Sequence, residues 1–195
     1  MQDEKTNKKI LTIAREILAS DGLGAVSFDT IARRLGRTKQ AVLYWYPTKR
    51  DLLAEMFLEW LDEETATAEV AVSKATNRSE AISTFVDAVA WFHLQDLDRY
   101  RMMYLVPQVT RQKSNGETDI AAGDEVHQIT NRLYGALANH LDGKQETARK
   151  EAVAIHSAVL GLVLMFGLTS ALNDPLKHTE TDLIDAMISS LIGKR

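Results

Sequence analysis

The stretch Ser27 to Arg50, SFDTIARRLGRTKQAVLYWYPTKR, restricts what this 195-residue chain can fold into more than any other. Ser27 stands where a helix N-cap is needed, since its hydroxyl can accept a backbone N–H two or three residues on. Ile31, Ala32 and Leu35 then share one helical face. Gly36 sits where a helix ends in the left-handed conformation, which costs glycine nothing. Thr38 can cap a second helix, with Thr38, Lys39 and Gln40 in its exposed first turn. Val42 and Tyr46, four apart, can both face inward. Pro47 stops that helix, and Thr48 with Asp51 has capping-box-like spacing for a third.

Two short helices joined by a tight turn have the layout of a helix-turn-helix. Such a motif enters the major groove by the N-terminal end of its second helix. Lys39 can reach guanine O6/N7 or a phosphate, and Gln40 can pair with adenine N6/N7. The Thr38 methyl or hydroxyl can touch a base edge or phosphate. Tyr44, Trp45 and Lys49 lie one to two turns later, where donors to phosphate would dock the helix.

These residues resemble the N-terminal domain of the tetracycline-repressor (TetR) family, which reads roughly T-x-x-x-I-A-x-x-x-G-V-S-x-x-T-L-Y-x-H-F-x-x-K-x-x-L. The matching positions are Ile31, Ala32, Gly36, Thr38, Tyr46, Pro47, Lys49 and Leu52. The spaced pattern covers about a quarter of the chain. Three positions depart from it. The turn residue after the glycine is Arg37, where an apolar side chain is usual. The usual threonine is Ala41. The usual tyrosine, a DNA contact in the family, falls on Leu43, with Tyr44 one position later. The resemblance implies a DNA-binding set of Ser27, Arg37, Thr38, Lys39, Gln40, Leu43, Tyr44, Trp45 and Lys49.

Charge supports that reading weakly. The net charge of −4 divides into +5 over residues 1–50 and −9 over residues 51–195. A basic head on an acidic body suits a protein that presents one end to phosphate. The expected domains are therefore a helix-turn-helix unit at residues 1–50 and a helical effector-binding and dimerisation unit at residues 51–195.

Hydrophobic periodicity predicts helices throughout, so the fold class is all-α. A first helix is expected at Lys8–Ser20, with Ile10, Ile13, Ala14, Ile17 and Leu18 inward. A long one starts at Lys49 and fades near Thr76-Asn77. Another opens at Ser79. A segment from about Asp98 to Gln112 should be kinked or broken at Pro107, which lacks a backbone donor. Lys113–Gly123 reads as a loop. Helices are then expected at Asp124–Leu141, Gln145–Leu172 and about Asp182–Ile192.

The last two helices are more apolar than one small body needs. Ala154, Ala158 and Gly161 on one, with Leu183, Met187 and Leu191 on the other, would form an isologous four-helix interface between two copies. The resembled family dimerises in this way. Soft and aromatic side chains in the body, Trp91, Phe92, Met102, Met103, Tyr104, Tyr134, Met165 and Phe166, suit either an ordinary core or an adaptable apolar pocket. The resemblance implies that some of them line a cavity for a small effector.

The sequence contains no Gly-rich phosphate loop, nucleophile elbow or Cys/His metal spacing, so an enzyme, a cofactor or a metal is not expected. His93 and His156 sit on apolar helices and read as hydrogen-bonded core histidines. Glu63-Glu64 and Asp124-Glu125 read as solvated pairs. Zero cysteines and no visible signal peptide fit a cytoplasmic protein. The longest uninterrupted apolar run, Ala158–Leu168, is too short to span a bilayer. The expected function is a ligand-responsive homodimeric repressor on a pseudo-palindromic DNA operator. The alternative is a small-molecule-binding or assembly protein with impaired sequence-specific DNA recognition, which Arg37, Ala41 and Leu43 keep open.

Overall fold

The computed structural model describes residues 2–105, 117–172 and 177–193, which are almost entirely helical. The elements are α1 (Gln2–Asp21), a 3-10 turn (Leu23–Ala25), α2 (Phe28–Leu35), α3 (Lys39–Trp45), α4 (Lys49–Val72), α5 (Arg78–Leu94) and the short α6 (Leu97–Tyr100). A π-helical turn (Arg101–Leu105) follows, then α7 (Glu117–Ala138), α8 (Gln145–Leu172) and α9 (Glu180–Ile192). They fall into two compact units. One comprises Met1–Trp60 with Arg101–Lys113, the other Leu61–Tyr100 with Ser114–Arg195. The division lies inside α4, ten residues beyond the boundary at 50/51 expected from the sequence.

In the first unit α1, α2, α3 and the start of α4 enclose a small core. Ile10, Leu11, Ala14, Ile17 and Leu18 of α1 are buried with Ile31, Ala32, Val42, Tyr46, Leu52 and Met56. The Tyr46 hydroxyl donates to the Asn7 side chain and is pushed above its ordinary range, by burial first and then by Glu55 and Glu59. Arg15 donates to Glu59 at 2.8 Å and lies over the Trp60 ring at 5.1 Å, which fixes α1 against α4. The observed α1 begins six residues before the predicted one. Its polar N-terminal turns have no apolar stripe for a periodicity argument to detect.

In the second unit α5 and α8 form the central pair, joined by α7 and α9. Its core holds Ala68 and Val72 of α4, Ile82, Phe85, Val86 and Val89 of α5, Leu133 and Leu137 of α7, Ile155 and Val159 of α8, and Ile184 of α9. Gly143 takes φ 98° in the turn between α7 and α8, a conformation that favours glycine. Thr179 and Asp182 close a capping box at the start of α9, two residues before the predicted start.

Two expectations need correction. Glu117–Gly123, read as part of a loop, is helical; residues 113–116 and Pro107 lie outside the described residues. Glu64, read as solvated beside Glu63, is fully buried. It lies four residues after Trp60, three after Leu61 and four before Ala68, so it belongs to the buried stripe of α4. By length and composition alone, α8 from Gln145 to Thr169 would pass for a membrane-crossing helix, a test that a core helix passes equally.

Candidate nucleic-acid interface

The helix-turn-helix is assembled by backbone capping at each corner. The Thr30 N–H donates to Ser27 Oγ at 3.2 Å, which starts α2. At its end Gly36 takes φ 67°, ψ 35°, and the Arg37 N–H returns to the Ala32 carbonyl at 3.0 Å. This six-to-one bond is that of a Schellman motif. The Ala41 N–H donates to Thr38 Oγ1 at 3.3 Å and starts α3. Thr48 and Asp51 then cap each other at the start of α4: Thr48 N–H to Asp51 Oδ2 at 2.9 Å, and Asp51 N–H to Thr48 Oγ1 at 3.2 Å.

Buried Val42 and Tyr46 hold the inner face of α3, so its other face is left open. Arg37, Thr38, Lys39 and Gln40 are all exposed. Tyr44 is 79% exposed, and its ring meets Trp45 edge-on at 5.5 Å. Trp45 and Leu43 are half-buried. The apolar side chain usual after the glycine would pack at the turn; Arg37 is exposed there instead.

Two of the expected DNA-contacting cations are already engaged. Lys39 Nζ pairs with Asp29 Oδ2 at 2.8 Å, and Lys49 Nζ donates to the Leu23 carbonyl at 3.2 Å. Ser27 is half-buried and occupied as a cap. Sequence reasoning missed Asp29. Its signal was an acid in the first turn of α2, placed before a basic turn in α3.

The residues expected at an effector site divide between the two units. Met102 and Met103 are buried and Tyr104 half-buried in the first. Trp91, Phe92, Tyr134, Met165 and Phe166 belong to the second. There Trp91 and Met165 reach the surface, while Phe166 is buried. The Arg99 guanidinium covers the Phe92 ring at 3.7 Å.

Tyr134 instead joins a polar cluster deep in the second unit. Its hydroxyl lies 3.3 Å from His156 Nδ1. His156 Nε2 and His93 Nε2 both approach Glu64 Oε1, at 2.8 and 3.1 Å. Burial raises the Glu64 pKa, but the hydrogen bonds from His156 and His93 outweigh it and hold the carboxyl well below its usual range. Both histidines are thus bonded core residues, as the sequence suggested. Among the described residues no three His, Asp or Glu side chains are placed to hold a metal ion.

The first unit thus contains a capped helix-turn-helix whose second helix, α3, is open on one face. Residues 10–56 match the family described as bacterial regulatory proteins, tetR family. The chain is 31% identical over 91 residues to the HTH-type transcriptional regulator YdeS of Bacillus subtilis (strain 168). That match covers 47% of this chain and 43% of YdeS, so the chain spans less than half of this relative's length. In fold it is similar to the protein SCO4313, with a TM-score of 0.75 at 16% identity over 98% of this chain and 97% of that one. It is also similar to the regulator FadR from Bacillus subtilis, solved with stearoyl-CoA: TM-score 0.67 at 15% identity, over 95% and 97% of the two chains. At these identities the likeness is one of fold alone.

Proposed function

We propose that the chain is a ligand-responsive repressor that binds a pseudo-palindromic operator as a homodimer. The observation that carries this reading is the exposed first turn of α3, with Arg37, Thr38, Lys39 and Gln40 all open on a rigidly capped motif. Residues 1–50 would hold DNA, and residues 51–195 the effector and the second copy.

Dimerisation has its own support. Only 33% of the most apolar stretch of α8 is buried within the chain. Val153, Ala154, Ser157, Gly161, Met165 and Leu168 are exposed at three- and four-residue spacing along one face. A small and apolar stripe of this kind suits a second copy of the same helix. Of the expected α9 residues, Met187 and Leu191 pack partly on the chain's own core, so α9 would contribute less than α8.

The effector would be a small molecule with an apolar body, for which the interior methionines and aromatics are suited. The presence of stearoyl-CoA in a protein of similar fold supports that class. Effector binding would favour a head arrangement that no longer fits the operator. The coupling is limited to the effector's differential affinity for the two states, typically about 1–3 kcal/mol.

The test is a selection of random duplex DNA on the purified protein at moderate salt. Enrichment of a palindrome is expected. A well-folded dimer that enriches no sequence would sink the reading and favour a ligand-binding or assembly role. Arg37, Ala41 and Leu43 would then be the first residues to revert toward the family pattern.

A further inference from the structure

Lys39 stands in the first turn of α3, where a cation would meet DNA first, yet its ammonium is held by an acid of the preceding helix. Asp29 Oδ2 lies 2.8 Å from Lys39 Nζ, and both side chains are largely open to solvent at 72% and 52%. We propose that Asp29 is a specificity-determining residue, one that withholds Lys39 from phosphate while leaving it able to donate to a base edge. The proposal rests on the reading of the head as a DNA-binding unit and concerns how that unit discriminates.

The argument is one of exchange. A phosphate oxygen offers Lys39 what Asp29 already offers, a single anionic acceptor. Trading one for the other makes one ion pair and breaks another. It also leaves an unpaired carboxylate beside the phosphate backbone, where like charges repel. Sequence-independent binding therefore gains little from Lys39. A guanine edge is different, because O6 and N7 both accept. An ammonium carries three donors, so Lys39 can keep Asp29 and still donate to such an edge. An exposed ion pair is weak and salt-screened, as an exchangeable contact needs to be. Asp29 thus weakens binding to random DNA more than binding to the cognate site.

The test measures binding of the full chain to the palindrome enriched in the selection and to a random-sequence duplex, across 50–200 mM salt. The proteins are wild type, Asp29→Asn, Lys39→Gln and the double variant. Asp29→Asn should tighten the random duplex roughly two- to five-fold. It should steepen the slope of log K against log salt on that duplex by about 0.9, the value of one added phosphate contact. The preference for the palindrome should shrink accordingly. In the Lys39→Gln background the same change should have a clearly smaller effect, because only the general loss of a negative charge remains. An equal effect in both backgrounds overturns the proposal, as does an unchanged random-duplex affinity in Asp29→Asn; in either case the DNA-binding function stands. Failure of the wild type to hold either duplex overturns both readings together. Circular dichroism melts of each variant confirm that the changes act on a folded head.

Discussion

At the residue scale, the informative side chain is Glu64. A carboxylate in an apolar core is costly unless hydrogen bonds compensate it. Here two imidazole nitrogens converge on one oxygen at 2.8 and 3.1 Å, and the Tyr134 hydroxyl meets the far nitrogen of one ring. The compensation has a pH signature. The folded-state pKa of Glu64 lies below its ordinary value, so the folded state favours the ionised form. Its contribution is fully present above the unfolded carboxylate pKa of about 4.3 and fades as pH falls below it. Glu64→Gln should cost about 1.5–3 kcal/mol at pH 7, the worth of hydrogen bonds to a charged group. The gap between wild type and variant should narrow below about pH 4. Urea titrations at pH 7 and at decreasing pH would show both effects. A gap that stays constant with pH would mean that Glu64 is not the ionised centre of the cluster.

At the element scale, α3 carries the recognition argument. Its capping turns and its inner residues Val42 and Tyr46 were legible in the sequence, because they follow local rules of caps and period. The state of its outer residues was not. Lys39 and Lys49 look alike as free cations in a linear sequence, yet one pairs with Asp29 and the other with the Leu23 carbonyl. Gln40 is exposed in the same turn. Gln40→Ala should relax base preference at a single operator position and cost about 1–3 kcal/mol there. Repeating the duplex selection with the variant checks this; an unchanged preferred sequence would mean that a different face of α3 reads the groove.

At the scale of the whole molecule, the question is what covers the outer stripe of α8. A Cβ built at Gly161 meets nothing within 4 Å, so the chain alone leaves room for a large residue there. Replacing a mid-helix glycine also favours helix by up to about 1 kcal/mol. Gly161→Arg should therefore keep the fold but separate a dimer that packs on this stripe. Sedimentation should show a monomer with unchanged helical content. Binding to the palindrome should weaken strongly, because two heads one helical turn apart (about 34–36 Å) would no longer be linked. A variant that stays dimeric would place the interface elsewhere.

The sequence by itself determined the all-helical class, the caps and turn of the helix-turn-helix, and the inward stripe of α1. Each of these depends on neighbours within a few residues, where periodicity and capping chemistry act. Tertiary structure alone decided the rest. Glu64 is buried because α5, α7 and α8 bring His93, Tyr134 and His156 around it, from 22 to 92 residues apart in pairwise contact. Asp29 meets Lys39 because the turn at Gly36 folds α2 onto α3. The candidate effector residues divide between two units, which no composition reveals. Long-range pairing depends on where whole helices cross, and hydrophobic period alone does not encode that.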